Sequence, residues 1–149
     1  MEMEKGDWVD FERYPYENLS KAHKEEIASF MNFTDPVFWG DRRPEDILID
    51  ENNLIFGIFQ DGKLISITSF WKYQEVGYIT VVGTHPDYQN KGYASSLVSS
   101  VLKHLFQKAK QCLITVRVNN PPAIHTYEKL GFSIRNTPVS YTHLRAHET

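Results

Sequence analysis

Thr84 to Ala94, Thr-His-Pro-Asp-Tyr-Gln-Asn-Lys-Gly-Tyr-Ala, is the stretch of this 149-residue chain whose residue types and spacing specify chemistry most directly. It leads from an apolar run, through a short polar loop, into the first turn of an amphipathic pattern. Backbone N–H groups left unpaired at a helix start point at any ligand placed there, and the helix dipole adds partial positive charge, so such a loop binds anions. Within Gln89-x-x-Gly92-x-Ala94, Gly92 lacks a Cβ and lets a phosphate approach the backbone. Ala94 is nearly as small and favours helix. Gln89 can cap or donate to an anion, and Lys91 adds a flexible positive charge. The pattern suits a pyrophosphate. A strand-to-helix turn that merely contains a glycine is the competing reading of the same residues. No Gly-Lys-Ser/Thr closes the loop as in a P-loop, and the three glycines of the dinucleotide fingerprint are missing.

The elements that must position this loop are legible in outline. Trp8 to Tyr14 alternates apolar and polar residues and is predicted to be a first strand. Leu19 to Phe33 spaces Leu19, Ile27, Phe30 and Met31 as a helix does. Thr34 to Glu45, with Pro36, Gly40 and Pro44, is an irregular segment suited to a lid, and its Phe38 and Trp39 suit either a pocket wall or the core. Leu54 to Gln60 and Leu64 to Trp71 are rich in β-branched and aromatic residues, and Asp61-Gly62 between them predicts a tight hairpin. Val76 to Thr84 is a third strand. Leu97, Val98, Val101, Leu102, Leu105, Phe106 and Ala109 then form a helical apolar stripe. Cys112 to Val118 is again a strand, and Pro121-Pro122 opens a helix that Gly131 ends. Phe132 to Arg135 starts a last strand. This order describes one mixed α/β domain over residues 1–149, with helices packed on a sheet.

Composition excludes several classes. The chain is 41% hydrophobic and 23% charged, with a net charge of −3 and no block rich in Lys or Arg, which argues against a nucleic-acid partner. Cys112 is the one cysteine, so no internal disulfide forms. The first residues are charged and lack the apolar core of a secretory signal. No apolar run approaches the roughly 20 residues that cross a bilayer. A cytoplasmic protein without a membrane partner is expected. Cys112, opening a strand expected to be buried, reads as a small core residue, and His85, His104 and His125 fit no metal spacing.

Two segments together resemble the GNAT superfamily of acetyl-CoA-dependent N-acetyltransferases. The family's first motif, (Val/Thr)-x-Pro-x-Tyr-(Arg/Gln)-x-x-Gly-x-(Gly/Ala) between a strand and a helix, is matched by Thr84–Ala94. Its second, Asn-x-x-Ala-x-x-x-Tyr-Glu-(Lys/Arg)-Leu-Gly-Phe, is matched by Asn120–Phe132. The likeness covers Leu54 to Arg135 well and the first fifty residues only in layout. It implies a central, mostly antiparallel sheet with one splayed parallel strand pair and helices on both faces. It implies acetyl-CoA as co-substrate, its pyrophosphate cradled by Gln89, Asn90, Lys91, Gly92, Tyr93 and Ala94. Backbone groups of Val82, Gly83 and Thr84 would hold the pantetheine arm as an added strand. Asn120 matches a position that contacts the cofactor, and its residue type also suits a helix N-cap.

The resemblance also implies a mechanism. A neutral primary amine, expected to be that of a small molecule, attacks the thioester directly in a ternary complex, with a strand amide near Val82 steadying the oxyanion. Tyr127 matches the tyrosine that protonates the departing thiolate. Family members use a carboxylate as base, but Val76 to Thr84 carries none. Glu75, just before it, is the nearest candidate, and Glu45 and Asp46 are further ones. Protein N-terminus or lysine acetylation and a non-catalytic acyl-CoA sensor are the alternative readings, and the likeness admits a homodimer.

The end of the chain fits less well. The family fold needs a final strand beside Cys112–Val118, and Val139 to Thr149 lacks a buried strand pattern. That stretch resembles a translated adaptor, so a non-native tail and an exposed sheet edge are expected. In such a tail the i, i+4 spacing of His143 and His147 is not read as a metal pair.

Overall fold

A computed structural model of the chain describes residues 1–116 and 120–134. Its strands are β1 (Glu2–Glu4), β2 (Glu17–Asn18), β3 (Asn53–Gln60), β4 (Lys63–Tyr73), β5 (Val76–Thr84) and β6 (Gln111–Ile114). They form one sheet in the order β1-β6-β5-β4-β3-β2. Every neighbouring pair is antiparallel except β5 and β6, which run parallel from Val76 opposite Gln111 to Ile79 opposite Ile114. The helices are α1 (Lys24–Thr34), α2 (Pro36–Trp39), α3 (Tyr93–Leu105) and α4 (Pro121–Leu130). One apolar cluster joins α3 and α4 to one face of the sheet through Leu97, Val101, Tyr127 and Phe56. A second joins α1 to the other face through Ile27, Met31, Ile55 and Ile67. The expected mixed fold, with one parallel pair and helices on both faces, is present. Among the described residues no helix is long and apolar enough to cross a membrane.

The hairpin between β3 and β4 turns where Asp61-Gly62 predicts it, with both residues at positive φ (51° and 77°) as a right-twisting two-residue loop requires. α1 begins at Lys24 rather than Leu19, because the Leu19 N–H is spent on the Ile55 carbonyl (2.8 Å) and a short 3₁₀ turn capped by Ser20 intervenes.

Two expectations are corrected. Trp8 to Tyr14 is not a strand. It lies along α3, and its backbone finds serine hydroxyls instead of a ladder: Phe11 N–H donates to Ser99 Oγ (2.8 Å), and Arg13 and Tyr14 N–H both donate to Ser96 Oγ (2.8 and 2.9 Å). This explains why Ser96 and Ser99, and with them Ser100 through its bond to Glu12, are buried on a helix whose opposite face carries the apolar stripe. Nor is the outer edge of β6 open over its described length. β1 pairs with it antiparallel, Glu2 opposite Leu113 and Glu4 opposite Gln111, and the Met1 ammonium donates to the Ile114 carbonyl (2.8 Å). Among the described residues beyond α4, Ser133 bridges to Glu2; the expected strand from Phe132 runs into Arg135, which, like Val118 and residues 139–149, lies outside the described set.

Gly131 ends α4 with φ of 115°, as its position predicts, and its exposed Cα face lies against the incoming chain. A Cβ there would sit 2.3 Å from the Asp7 carbonyl oxygen and 3.1 Å from Trp8 Cα, both rigid backbone. Strain and clash act together, so Gly131→Ala is expected to lower stability by about 2–4 kcal/mol. Urea unfolding checks this, and an unchanged midpoint would contradict the contact.

Candidate functional site

β6 stops at Ile114, opposite Ile79, while β5 continues to Thr84. From Thr80 onward β5 is therefore paired on one edge only, with β4. The register shift between Ser69 and Phe70 leaves Thr80 without an opposite residue, a bulge that bends the strand where the parallel pair parts. The Thr80 hydroxyl ties this bulge to Ser69 (2.8 Å to its Oγ). His85 N–H donates to the Ile65 carbonyl (2.8 Å), which marks that pair as a hydrogen-bonded one. Alternation along an antiparallel ladder then turns the backbone groups of Val82 and Thr84 away from β4, toward the free edge. Gln89 Nε2 uses one of them, donating to the Thr84 carbonyl (3.2 Å).

Three cavities meet along this edge. The first, about 430 Å³, lies over the start of α3, with Thr84, Gln89, Asn90, Gly92 and Ala94 on one side and Ala123 and Tyr127 on the other. Gly92 is the helix N-cap, at φ of 87°, so it brings no side chain to the first-turn N–H groups. The loop is braced from outside: Tyr14 stacks on Tyr93 at 4.1 Å and its hydroxyl donates to the Lys91 carbonyl (2.8 Å). The second cavity, about 240 Å³, fills the gap between the parting strands, walled by Thr80, Val82, Ile114, Val116 and Tyr127. The third, about 300 Å³, opens on the opposite side between β4, β5 and α1 and shares Thr80 and Val81 with the second. An elongated ligand can lie along the first two while a second molecule enters through the third.

Residues 16–132 match the acetyltransferase (GNAT) family. The chain belongs to the GNAT family. A mycothiol acetyltransferase of Saccharomonospora viridis is 42% identical over 67 residues, 44% of this chain and 22% of that protein, so the chain spans about a fifth of that relative's length. The ribosomal-protein-S18-alanine N-acetyltransferase of Escherichia coli superposes with a TM-score of 0.74 at 19% identity, over 82% of this chain and 79% of its own. The PaiA N-acetyltransferase of Thermoplasma acidophilum, solved in complex with coenzyme A, gives 0.71 at 17% identity, over 87% and 95%.

In this GNAT chain Val82, Gly83, Thr84, Gln89, Asn90, Gly92, Tyr93 and Ala94 all line the first cavity. Lys91 is turned to the Tyr88 ring, 5.8 Å from its centroid. Asn120 does two things: its Oδ1 caps α4 by accepting from Ala123 N–H (3.4 Å), and it lines the second cavity. Tyr127 lines both cavities, and burial pushes its phenol well above the usual tyrosine range, so it stays protonated at neutral pH.

Glu75 is not brought to this site. It sits in the β4–β5 turn, its carbonyl accepting from Lys110 N–H (2.7 Å) and its carboxylate 3.5 Å from Lys110 Nζ. Seven strand positions separate it from Val82, roughly 23 Å. Of the other carboxylates, Asp46 lines the third cavity and Asp35 the second, whereas Glu45 pairs with Arg43 at 3.5 Å. Trp39 also lines the third cavity, while the Phe38 side chain lies outside the described set. Cys112 is fully buried and its thiol is pushed far up by desolvation, as a core residue. Among the described residues no cluster could hold a metal.

Sequence reasoning missed Arg13, Asp35, Arg42 and Lys129. Arg13 arches over Gly92, its Nη1 3.3 Å from where a Cβ would stand, and Lys129 reaches the first cavity. No periodicity marks them, since each arrives by tertiary packing. The segment that carries Arg13 is pinned at Glu12, which accepts from Ser100 Oγ and from Lys103 Nζ (2.9 Å). The Ser100 bond, then Lys103, hold the Glu12 carboxyl below its ordinary value of about 4.3. A carboxyl with a depressed folded pKa stabilises the fold above its unfolded pKa and loses that contribution as pH falls through the folded one. Stability should therefore drop as pH falls below the ordinary carboxylate range, and Glu12→Gln should flatten that slope. Equal slopes in urea titrations of both proteins would rule the anchor out.

Proposed function

We propose that this chain transfers the acetyl group of acetyl-CoA to the primary amine of a small molecule, by direct attack in a ternary complex. The observation that carries the reading is the meeting of three cavities at Thr80–Val82 and Tyr127. The pyrophosphate would lie on the first-turn N–H groups of α3 beyond Gly92, with the Arg13 guanidinium close by. The pantetheine arm would run along the free edge of β5, its amides bonded to the outward backbone groups of Val82 and Thr84 as an added strand. That places the thioester beside Tyr127 and the acceptor in the third cavity.

In the transfer, the amine nitrogen adds its lone pair to the carbonyl carbon, and the oxygen takes the negative charge, steadied by the Val82 N–H. The C–S bond then breaks, and the buried Tyr127 O–H, protonated at neutral pH, donates to the departing thiolate and recovers a proton from solvent, so that one proton leaves the amine and one ends on the thiol. The proton lost by the amine passes to a carboxylate. Asp35 fits that role best, since it lines the same cavity as Val82 and Tyr127. An alkyl ammonium has an ordinary pKa near ~10.4, so activity should rise with pH as the neutral amine becomes available. Positioning both reactants in one line supplies much of the rate.

The test is acetyl-CoA turnover with an amine panel, followed by release of free thiol. Tyr127→Phe is expected to lower kcat about 10- to 100-fold with little change in the KM for acetyl-CoA. Asp35→Asn should lower kcat similarly and weaken the rise with pH. Tight acetyl-CoA binding without turnover of any amine would favour an acyl-CoA sensor instead, and no binding at all would end the proposal.

A further inference from the structure

We infer that the third cavity selects amines that also carry a carboxylate, and that Arg42 is the residue that selects them. This rests on the acetyl-transfer reading above, and it concerns the acceptor rather than the donor. The cavity is mostly apolar, with Ile27, Met31, Trp39 and Ile47 among its walls. Into this wall the fold sets one guanidinium. Arg42 lies over the Trp39 ring, its Cζ 5.3 Å from the centroid. Its backbone is clamped at both ends by one side chain: Asn32 Nδ2 donates to the Arg42 carbonyl (2.7 Å), and Arg42 N–H donates to Asn32 Oδ1 (2.8 Å). The position is therefore set by α1, independently of the guanidinium.

One nitrogen of the half-buried guanidinium is not satisfied. Arg42 Nε is buried and has no hydrogen-bond partner, one of two such side-chain atoms among the described residues. No carboxylate of the described residues lies within ion-pair distance of Arg42, whereas its neighbour Arg43 is held by Glu45 and Asp46 (3.5 and 3.9 Å). A buried donor left unpaired on a charged group is costly, and a planar guanidinium matches a carboxylate through two parallel N–H···O bonds. An anionic group on the acceptor would supply those bonds. The contact with the Trp39 ring holds the guanidinium at this wall. Asp46 lines the same cavity, its carboxylate already accepting from Arg43 N–H, so a purely cationic acceptor such as a polyamine would find one carboxylate there but leave Arg42 without a partner.

The experiment compares matched acceptors in the thiol-release assay: leucine against leucinamide, and δ-aminovalerate against pentylamine. Wild-type protein is expected to have the higher kcat/KM for the carboxylate member of at least one pair. In Arg42→Gln that preference ratio should fall about 10- to 100-fold, and Arg42→Lys should restore part of it. The KM for acetyl-CoA serves as the check that the variants fold. Independently of turnover, N-acetylleucine should quench Trp39 fluorescence in wild type and do so at much higher concentration in Arg42→Gln. A wild-type preference for leucinamide and pentylamine, a ratio that Arg42→Gln leaves unchanged, or product binding indifferent to the substitution would each overturn the inference. Failure to bind acetyl-CoA would defeat the transfer reading, yet the N-acetylleucine titration would still decide the role of Arg42.

Discussion

Everything at the candidate site depends on one constraint: β5 has a partner strand on both edges only as far as Ile79. A strand edge with free N–H and C=O groups inside a protein must be satisfied by something, because burying such groups unpaired is costly. Here the parting of β5 from β6, helped by the bulge at Thr80, leaves a slot whose chemistry is that of a sheet waiting for one more strand. A ligand with amide groups along an extended arm meets that demand without any side chain being specialised for it. The side chains are then free for other tasks. Tyr127 supplies a proton donor, and Asn120 holds the helix that carries it.

The second dependence is of the first cavity on α3. A helix with serines at 95, 96, 99 and 100 on one side and an apolar stripe on the other would ordinarily show the serines to water. In this protein they are covered: Ser96 and Ser99 hydroxyls accept the backbone N–H groups of Phe11, Arg13 and Tyr14, and Ser100 Oγ donates to the Glu12 carboxylate. The irregular segment is thus as well satisfied as a strand would be. Tyr14 then braces both Tyr93 and Lys91, so the loop at Gly92 is held open by residues nearly eighty positions earlier.

How much of this was legible depended on whether the cause was local. The Asp61-Gly62 turn, the cap at Gly131 and the loop at Gly92 all follow from φ angles that few residues tolerate, and each appears where the residue types place it. The stripe on α3 was legible because 3.6-residue periodicity is local too. Trp8 to Tyr14 misled because alternation of side chains says nothing about what the backbone bonds to, and the answer lay in distant serines. Glu75 misled for a related reason. Nearness to β5 in sequence placed it at the start of that strand, whereas the cavities open at its end, so carboxylates from the α1 and lid region came closer. Arg42 was illegible in principle, since an unpaired guanidinium can be recognised only once its surroundings are known.

The packing of Asp7 and Trp8 against Gly131 also ties together opposite ends of the described chain. The first residues of the chain are held by its last described ones: Glu2 exchanges hydrogen bonds with Ser133, and Val9 N–H donates to the Leu130 carbonyl (2.9 Å). These contacts close the chain over most of its described length, from the Glu2–Val9 segment to Leu130–Ser133. β1 meets its ladder partner β6 earlier in the sequence, at Gln111–Ile114, so the bonds to Leu130 and Ser133 extend a pairing that does not depend on them. The clasp between the two ends joins residues of very long sequence separation, the class of contact whose loop is costly to close.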